Sequence, residues 1–236
     1  MRGEPRARGA GRHYLVPHAA RELAGRAELT SADTVVEIGA GFGALTTELA
    51  GRAGRVVAVE IDRDLAGAAR RRLRRHPHVT VVEADALVWP LPRRPFRVVA
   101  NLPFHGSTAI MRRLLGDPRV PLTRADVVVA LGAARGWTGR PARVDAVSWF
   151  PWWDVRLVRR LDRRSFRPPP SVDAAVLVVR RRRRPLLPPR EHQAFERFVR
   201  RELRASERPA ATPEDVVAAY RRRVGSHRRH GTRIAR

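Results

Sequence analysis

The chain has 236 residues, 43% of them hydrophobic, enough for one well-buried domain and a smaller appendage. It has no cysteine, which excludes a disulfide framework, thiolate metal ligation and thiol catalysis. A formal net charge of +25, from 48 basic against 23 acidic residues, favours a polyanionic partner, above all nucleic acid.

Every basic side chain is arginine. Bias toward G and C in the coding sequence accounts for arginine in place of lysine but not for the excess of basic over acidic residues. Arginine adds planar stacking and bidentate phosphate contacts. No run approaches the roughly 18 apolar residues of a membrane span, and no signal-peptide core follows the N-terminus. A soluble, cytoplasmic, monomeric protein with no membrane partner is expected.

In chain order, residues 1–12 read as a basic mobile tail and His18–Ala27 as a short helix. Strands and helices then alternate. Strands are expected at Thr34–Ile38, Arg55–Glu60, Val79–Glu83, Phe96–Ala100 and Ala125–Leu131. Helices are expected at Ala44–Ala50, Asp64–Arg75 and Ser107–Leu115. This alternation predicts a parallel, doubly wound α/β sheet. Gly132–Arg143 reads as a loop, and Asp154–Leu161 and Ala174–Val179 as two further strands. Between them, Phe166-Arg167-Pro168-Pro169-Pro170 is expected to be irregular. A run of five arginines, Arg180–Arg184, leads into a Pro185–Pro189 linker. Helical segments near Glu191–Arg204 and Pro213–Arg223 and a basic tail close the chain.

Glu37-Ile38-Gly39-Ala40-Gly41-Phe42-Gly43 stands at the first strand-to-helix turn. Glycines there permit positive φ and a close approach of backbone to ligand. The spacing is G-x-G-x-G rather than the G-x-G-x-x-G of dinucleotide folds. Glu60 ends the second strand, where an acid can accept both hydroxyls of a ribose. Asp85, after the third strand, can take an adenine amino hydrogen. A nicotinamide dinucleotide and S-adenosylmethionine both fit such a crevice.

Asn101-Leu102-Pro103-Phe104 favours the second. An adenine amino group is a poor nucleophile because its lone pair is delocalised into the ring. The Asn101 side-chain oxygen and the Leu102 carbonyl can each accept one of its N–H groups. Phe104 can stack on the base and favour developing positive charge. Pro103 fixes the turn. This is preorganisation and placement, with no side-chain general base.

On these residues the chain resembles the Erm and KsgA family of rRNA adenine N6-methyltransferases. The resemblance spans roughly residues 13–183 and includes Phe166-Arg167-Pro168-Pro169-Pro170-Ser171-Val172-Asp173, similar to the family's F-x-P-x-P-x-V segment. It implies a Rossmann-like methyltransferase fold with a seven-stranded, mostly parallel sheet and a small helical C-terminal domain. The expected division is a tail at 1–12, a catalytic domain at 13–183, a small helical RNA-binding domain at 184–225 and a tail at 226–236. The implied catalytic residues are Asn101, Leu102, Pro103, Phe104 and Phe166, with Phe166 facing a flipped adenine opposite Phe104. The implied S-adenosylmethionine contacts are His13, Leu15, Gly39, Gly41, Glu60, Ile61, Asp85, Ala86 and Asn101. The implied partner is rRNA, 23S in preference to 16S, with resistance to macrolide, lincosamide and streptogramin B drugs. A 16S enzyme, a non-catalytic nucleic-acid-binding relative and a nicotinamide-dependent oxidoreductase are the alternatives.

Three departures accompany the resemblance, one of them a C-terminal region that reads as short for the family. Arg12-His13-Tyr14-Leu15 stands where the family usually has Gln-Asn-Phe-Leu, so His13 replaces an asparagine. Leu131-Gly132-Ala133-Ala134 replaces an acidic, polar stretch. Of the remaining features, Trp149-Phe150-Pro151-Trp152-Trp153 is expected to pack the core. Arg70–Arg75 reads equally as an RNA grip or a solvated face, and Arg180–Arg184 as an RNA contact. The eight histidines show no metal-ligand spacing.

Overall fold

The computed structural model describes residues 12–139, 143–205 and 212–231. A short strand not foreseen, β1 (Tyr14–Leu15), opens the fold, and the expected elements follow: α1 (Pro17–Arg26), β2 (Thr34–Ile38), α2 (Ala44–Ala50), β3 (Arg55–Glu60), α3 (Arg63–Arg72), β4 (Val79–Glu83), β5 (Phe96–Asn101) and α4 (Ser107–Leu115). Then come β6 (Leu122–Ala130), α5 (Leu131–Thr138), α6 (Val144–Trp149), β7 (Trp153–Leu161), β8 (Phe166–Arg167), β9 (Ala174–Arg181), α7 (His192–Ala205) and α8 (Pro213–Gly231).

Seven strands form one sheet in the order β4-β3-β2-β5-β6-β9-β7, with only β9 antiparallel to its neighbours. Val35, Val36, Val98, Val99 and Val127–Val129 are sealed from solvent. Short, continuously apolar runs are what a parallel sheet covered on both faces requires. Strand order reverses between β2 and β5, so a crevice opens beyond their carboxyl ends. Gly39 follows β2 and Asn101 ends β5, so the sheet topology itself brings the two motifs together.

Helices α7 and α8 pack onto the same hydrophobic cluster as the sheet, through Phe195, Phe198, Val199, Val216, Val217 and Tyr220. Phe195 lies edge-on to Trp152 and Tyr220, at ring-centroid distances of 6.0 and 5.2 Å. Trp149, Trp152 and Trp153 are buried, and the last two donate their indole N–H groups to the Leu187 and Leu115 carbonyls. They are core, as their clustering implied.

Three expectations need correction. The Gly132–Arg143 stretch is not a loop: α5 covers Leu131–Thr138 and buries Leu131, Ala134 and Trp137 on one face. Gly132, Gly136 and arginine dilute that helical period below recognition. Phe166-Arg167 is not wholly irregular, because it pairs antiparallel with Tyr14-Leu15. The Arg180–Arg184 run is not a uniform RNA contact. Arg181 donates to the carbonyls of Pro118, Val120 and Leu122 and lies 4.5 Å over the Trp153 ring. Arg182 donates to the Phe150 carbonyl and covers its ring. Both close the core edge.

On the α3 cluster, Arg70 and Arg72 donate to the Val81 carbonyl and the Thr47 hydroxyl. Helix α8 continues through residues 226–231, beyond Arg223. Residues 1–11 and 232–236, the bulk of the expected tails, lie outside the described residues.

Candidate active site

The glycine turn holds three left-handed residues, Gly39, Gly41 and Gly43, at φ 78°, 55° and 79°. At Gly41 the requirement is also steric, since a Cβ there would lie 2.7 Å from Tyr14 Cε1. The Gly41 N–H donates to Glu60 Oε2 at 2.8 Å, and the Asp62 N–H to Glu60 Oε1 at 2.9 Å. Glu60 is buried. Two backbone donors fix its carboxylate, and each oxygen keeps a second lone pair for a hydroxyl. Asp62 caps α3 through the Asp64 and Leu65 N–H groups and pairs with Arg12 at 2.8 Å. The Arg12 bond, then those backbone bonds, hold the Asp62 carboxyl below the usual carboxylate range. Asp85 Oδ1 accepts the Leu87 N–H, a turn that sets its carboxylate at the third strand's end.

At the end of β5, Asn101 Nδ2 donates to the His13 carbonyl at 2.7 Å. A carbonyl can only accept, so this bond fixes which end of the amide faces it. Asn101 Oδ1 points elsewhere, buried and without a partner. A buried, unpaired acceptor is costly and marks a place where a donor belongs. The Leu102 N–H bonds the Val128 carbonyl, and Gly106 N–H and Ser107 Oγ bond the carbonyls of Pro103 and Phe104. The turn is therefore rigid.

These groups line one cavity of about 230 Å³. Its wall contains His13, Gly39, Glu60, Ile61, Asp85, Ala86, Asn101, Leu102, Pro103 and Phe104. Leu15, Gly41 and Phe166 stand behind the wall. Gly41 acts through Glu60, and Leu15 packs in the core beside Phe166. Phe166 is 2% exposed and meets Phe104 edge-on at 6.0 Å. In that arrangement the rings touch and hold no base between them. Reading the sequence missed Arg12 and Tyr14, which also line the wall. Their signal is the alternation of side chains along the segment that contains His13.

The lining fits a nucleoside. Ile38, Val59, Ile61, Leu65 and Leu87 offer apolar faces, while Glu60, Asp85 and Asn101 supply a few placed acceptors. Among the described residues, no group of three or more His, Asp or Glu could hold a metal ion, and no helix is long and apolar enough to cross a membrane.

Glu37, beneath the glycine turn, is buried with Oε2 unpartnered. Burial pushes its carboxyl up from 4.5 to about 8, with the Thr46 hydroxyl opposing and the Glu60 charge adding. The folded state thus holds a proton that the unfolded chain releases near 4.5. The contribution of Glu37 to stability is then greatest below that value and falls as pH rises toward about 8. Glu37→Gln is expected to flatten this decline in urea titrations between pH 5 and 8, and an unchanged slope would contradict it.

A seven-stranded sheet in this order, with a glycine-turn cavity at its switch point, defines a Rossmann-like methyltransferase fold. The family model described as "Ribosomal RNA adenine dimethylase" matches residues 10–213, and the chain belongs to that family. An rRNA adenine N-6-methyltransferase of Bacillus licheniformis is 36% identical over 157 residues, covering 66% of this chain and 55% of that protein. The chain thus spans about half the length of that relative. A ribosomal RNA small subunit methyltransferase A of Moorella thermoacetica is 34% identical over 209 residues, covering 80% of this chain and 72% of that protein. The crystal structure of the 23S rRNA methyltransferase ErmE superposes with a TM-score of 0.73 at 32% identity, over 87% of this chain and 84% of that one.

Proposed function

We propose that this protein methylates the N6 amino group of an adenine in rRNA, using S-adenosylmethionine, and that the target lies in the peptidyl transferase loop of 23S rRNA. The observation that carries the chemistry is the Asn101 amide, pinned by the His13 carbonyl with its own oxygen buried and unpaired beside Phe104. Glu60 would hold the ribose of the cofactor. Ile61 would cover its adenine, and Asp85 with the Ala86 backbone would bond that ring's edge. When bound, the cofactor supplies a sulfonium-activated methyl group.

The protein's own part is placement. Asn101 Oδ1 and the Leu102 carbonyl accept the two amino hydrogens, which draws the nitrogen toward tetrahedral geometry. Phe104 stacks on the base and stabilises the positive charge that develops on it, which is discharged when N6 gives up one of its protons to solvent. Phe166, buried against Phe104, would meet a flipped base only by a ring rotation, and its role in this reading is to brace Phe104.

The net charge supports an RNA substrate, and the position of exposed arginines suggests where it lies. Arg160, Arg163, Arg164 and Arg167 lie within six residues of Phe166 along the chain and are exposed. Asp162 and Asp173, the acids beside them, are themselves exposed, so these pairs exchange readily for phosphates. Replacing Arg163, Arg164 and Arg167 together by alanine is expected to shrink the slope of log affinity against log salt by about 2, at roughly 0.7 per single-strand phosphate contact. An unchanged slope would place the RNA elsewhere. The helical segment 184–225 would add to this surface.

The likeness to ErmE supports a 23S target and, through it, resistance to macrolide, lincosamide and streptogramin B drugs. The likeness to a small-subunit enzyme supports 16S rRNA as the second reading. In either reading the protein works as a cytoplasmic monomer. Transfer of labelled methyl groups to protein-free 23S and 16S rRNA decides between them. Label on 23S alone is expected, and label on 16S alone would establish the second reading.

A further inference from the structure

Side chains alternate along an extended segment. In residues 12–15, Arg12 and Tyr14 reach the cofactor half of the cavity and His13 the half that contains Phe104. Arg12 bonds Asp62, the cap of α3. The Tyr14 ring lies over Gly41 and 5.1 Å from the Phe42 ring. The His13 ring lies 5.6 Å from that of Phe104, tilted by 39°, and its Nδ1 is 3.0 Å from the Pro168 carbonyl. The backbone carbonyl of His13 holds Asn101. Pairing of Tyr14 with Arg167 and Leu15 with Phe166, and a Val16 N–H to Ser165 carbonyl bond, fasten the segment to the proline loop. One short stretch of chain therefore touches the α3 cap, the glycine turn, the Asn101 turn and the proline loop.

We propose that the Arg12–Leu15 segment couples the two halves of the site, with His13 as the positioning residue that transmits cofactor binding to Phe104 and the Pro168 carbonyl. This inference rests on the function proposed above. Residues 12–14 are half-buried, and their contacts are divided among the α3 cap, the glycine turn, the Asn101 turn and the proline loop. The order of this segment therefore depends on both halves of the site at once. A ligand that orders the segment lowers the ordering cost left to the second ligand, and the effect is reciprocal. The asparagine that the family usually carries at this position has no ring to lay against Phe104.

The test measures S-adenosylhomocysteine affinity on the full chain, with and without an RNA hairpin bearing one unpaired adenine. In the wild type the RNA is expected to tighten binding by at least about fivefold, the lower end of ordinary coupling. In His13→Ala, which keeps the backbone carbonyl, that ratio is expected to fall to nearly one. His13→Phe, which keeps a ring but loses Nδ1, should lie between, and it serves if the alanine variant does not fold. A wild-type ratio of one, or an undiminished ratio in His13→Ala, overturns the coupling. A wild type that methylates RNA with a ratio of one loses only this inference, whereas a wild type that binds neither probe loses the function as well.

Discussion

Replacing Asn101 with alanine is expected to slow methyl transfer by about 100- to 1,000-fold, the usual cost of removing one preorganised polar contact to developing charge. Cofactor affinity should change far less, because the carboxylates of Glu60 and Asp85 remain in place. The size of the effect follows because, among the described residues of this turn that line the cavity, Asn101 supplies the side-chain acceptor. The Leu102 carbonyl alone holds only one amino hydrogen, and the nitrogen is then free to relax toward the planar, unreactive geometry. Asn101→Asp should be nearly as damaging. Its carboxylate has no N–H to offer the His13 carbonyl, so two acceptors face each other where a 2.7 Å hydrogen bond now stands. Single-turnover rates, compared with S-adenosylhomocysteine affinity, separate chemistry from binding. Full activity in Asn101→Ala would remove this residue from the mechanism.

Glu60→Ala should produce the opposite pattern, with cofactor affinity lost by about 10- to 100-fold, a change that also leaves the buried Gly41 N–H and the part-buried Asp62 N–H unpaired. Those orphaned donors should lower stability by about 2 kcal/mol, visible in urea unfolding. Glu60→Gln is the sharper probe. The amide keeps one acceptor for one backbone N–H but presents its own N–H to the other, so the turn around Gly41 must shift. The expected result is a weakened cofactor with partly recovered stability. Unaltered cofactor affinity in either variant would separate Glu60 from the ribose.

The sheet was legible because its strands obey one simple rule. Val35-Val36, Val56–Val59 and Val98–Ala100 are short apolar runs bounded by charged or turn residues, the pattern of strands buried on both faces. The glycine turn, Glu60, Asp85 and Asn101 were legible because each stands at a strand end, where topology alone decides which groups meet. Helix α5 was not legible, since three glycines and an arginine within Gly132–Gly139 obscure a face made by only Leu131, Ala134 and Trp137. The structural work of Arg181 was hidden for a different reason. Its partners are carbonyls of Pro118, Val120 and Leu122, about sixty residues earlier, and no local pattern encodes them. The Arg12–Leu15 segment shows both cases. His13 stood out as a departure, but its contacts with Phe104 and Pro168 depend on how two distant loops fold back onto it.

The central claim is that a buried side-chain oxygen and a neighbouring carbonyl select an exocyclic adenine nitrogen as the methyl acceptor. Nucleoside mass spectrometry of rRNA after reaction with the purified protein and S-adenosylmethionine tests it most directly. The expected product is adenosine methylated at N6, once or twice, and absent when Asn101 is alanine. Methyl groups found instead on a ribose hydroxyl, a ring carbon or another base would contradict the claim.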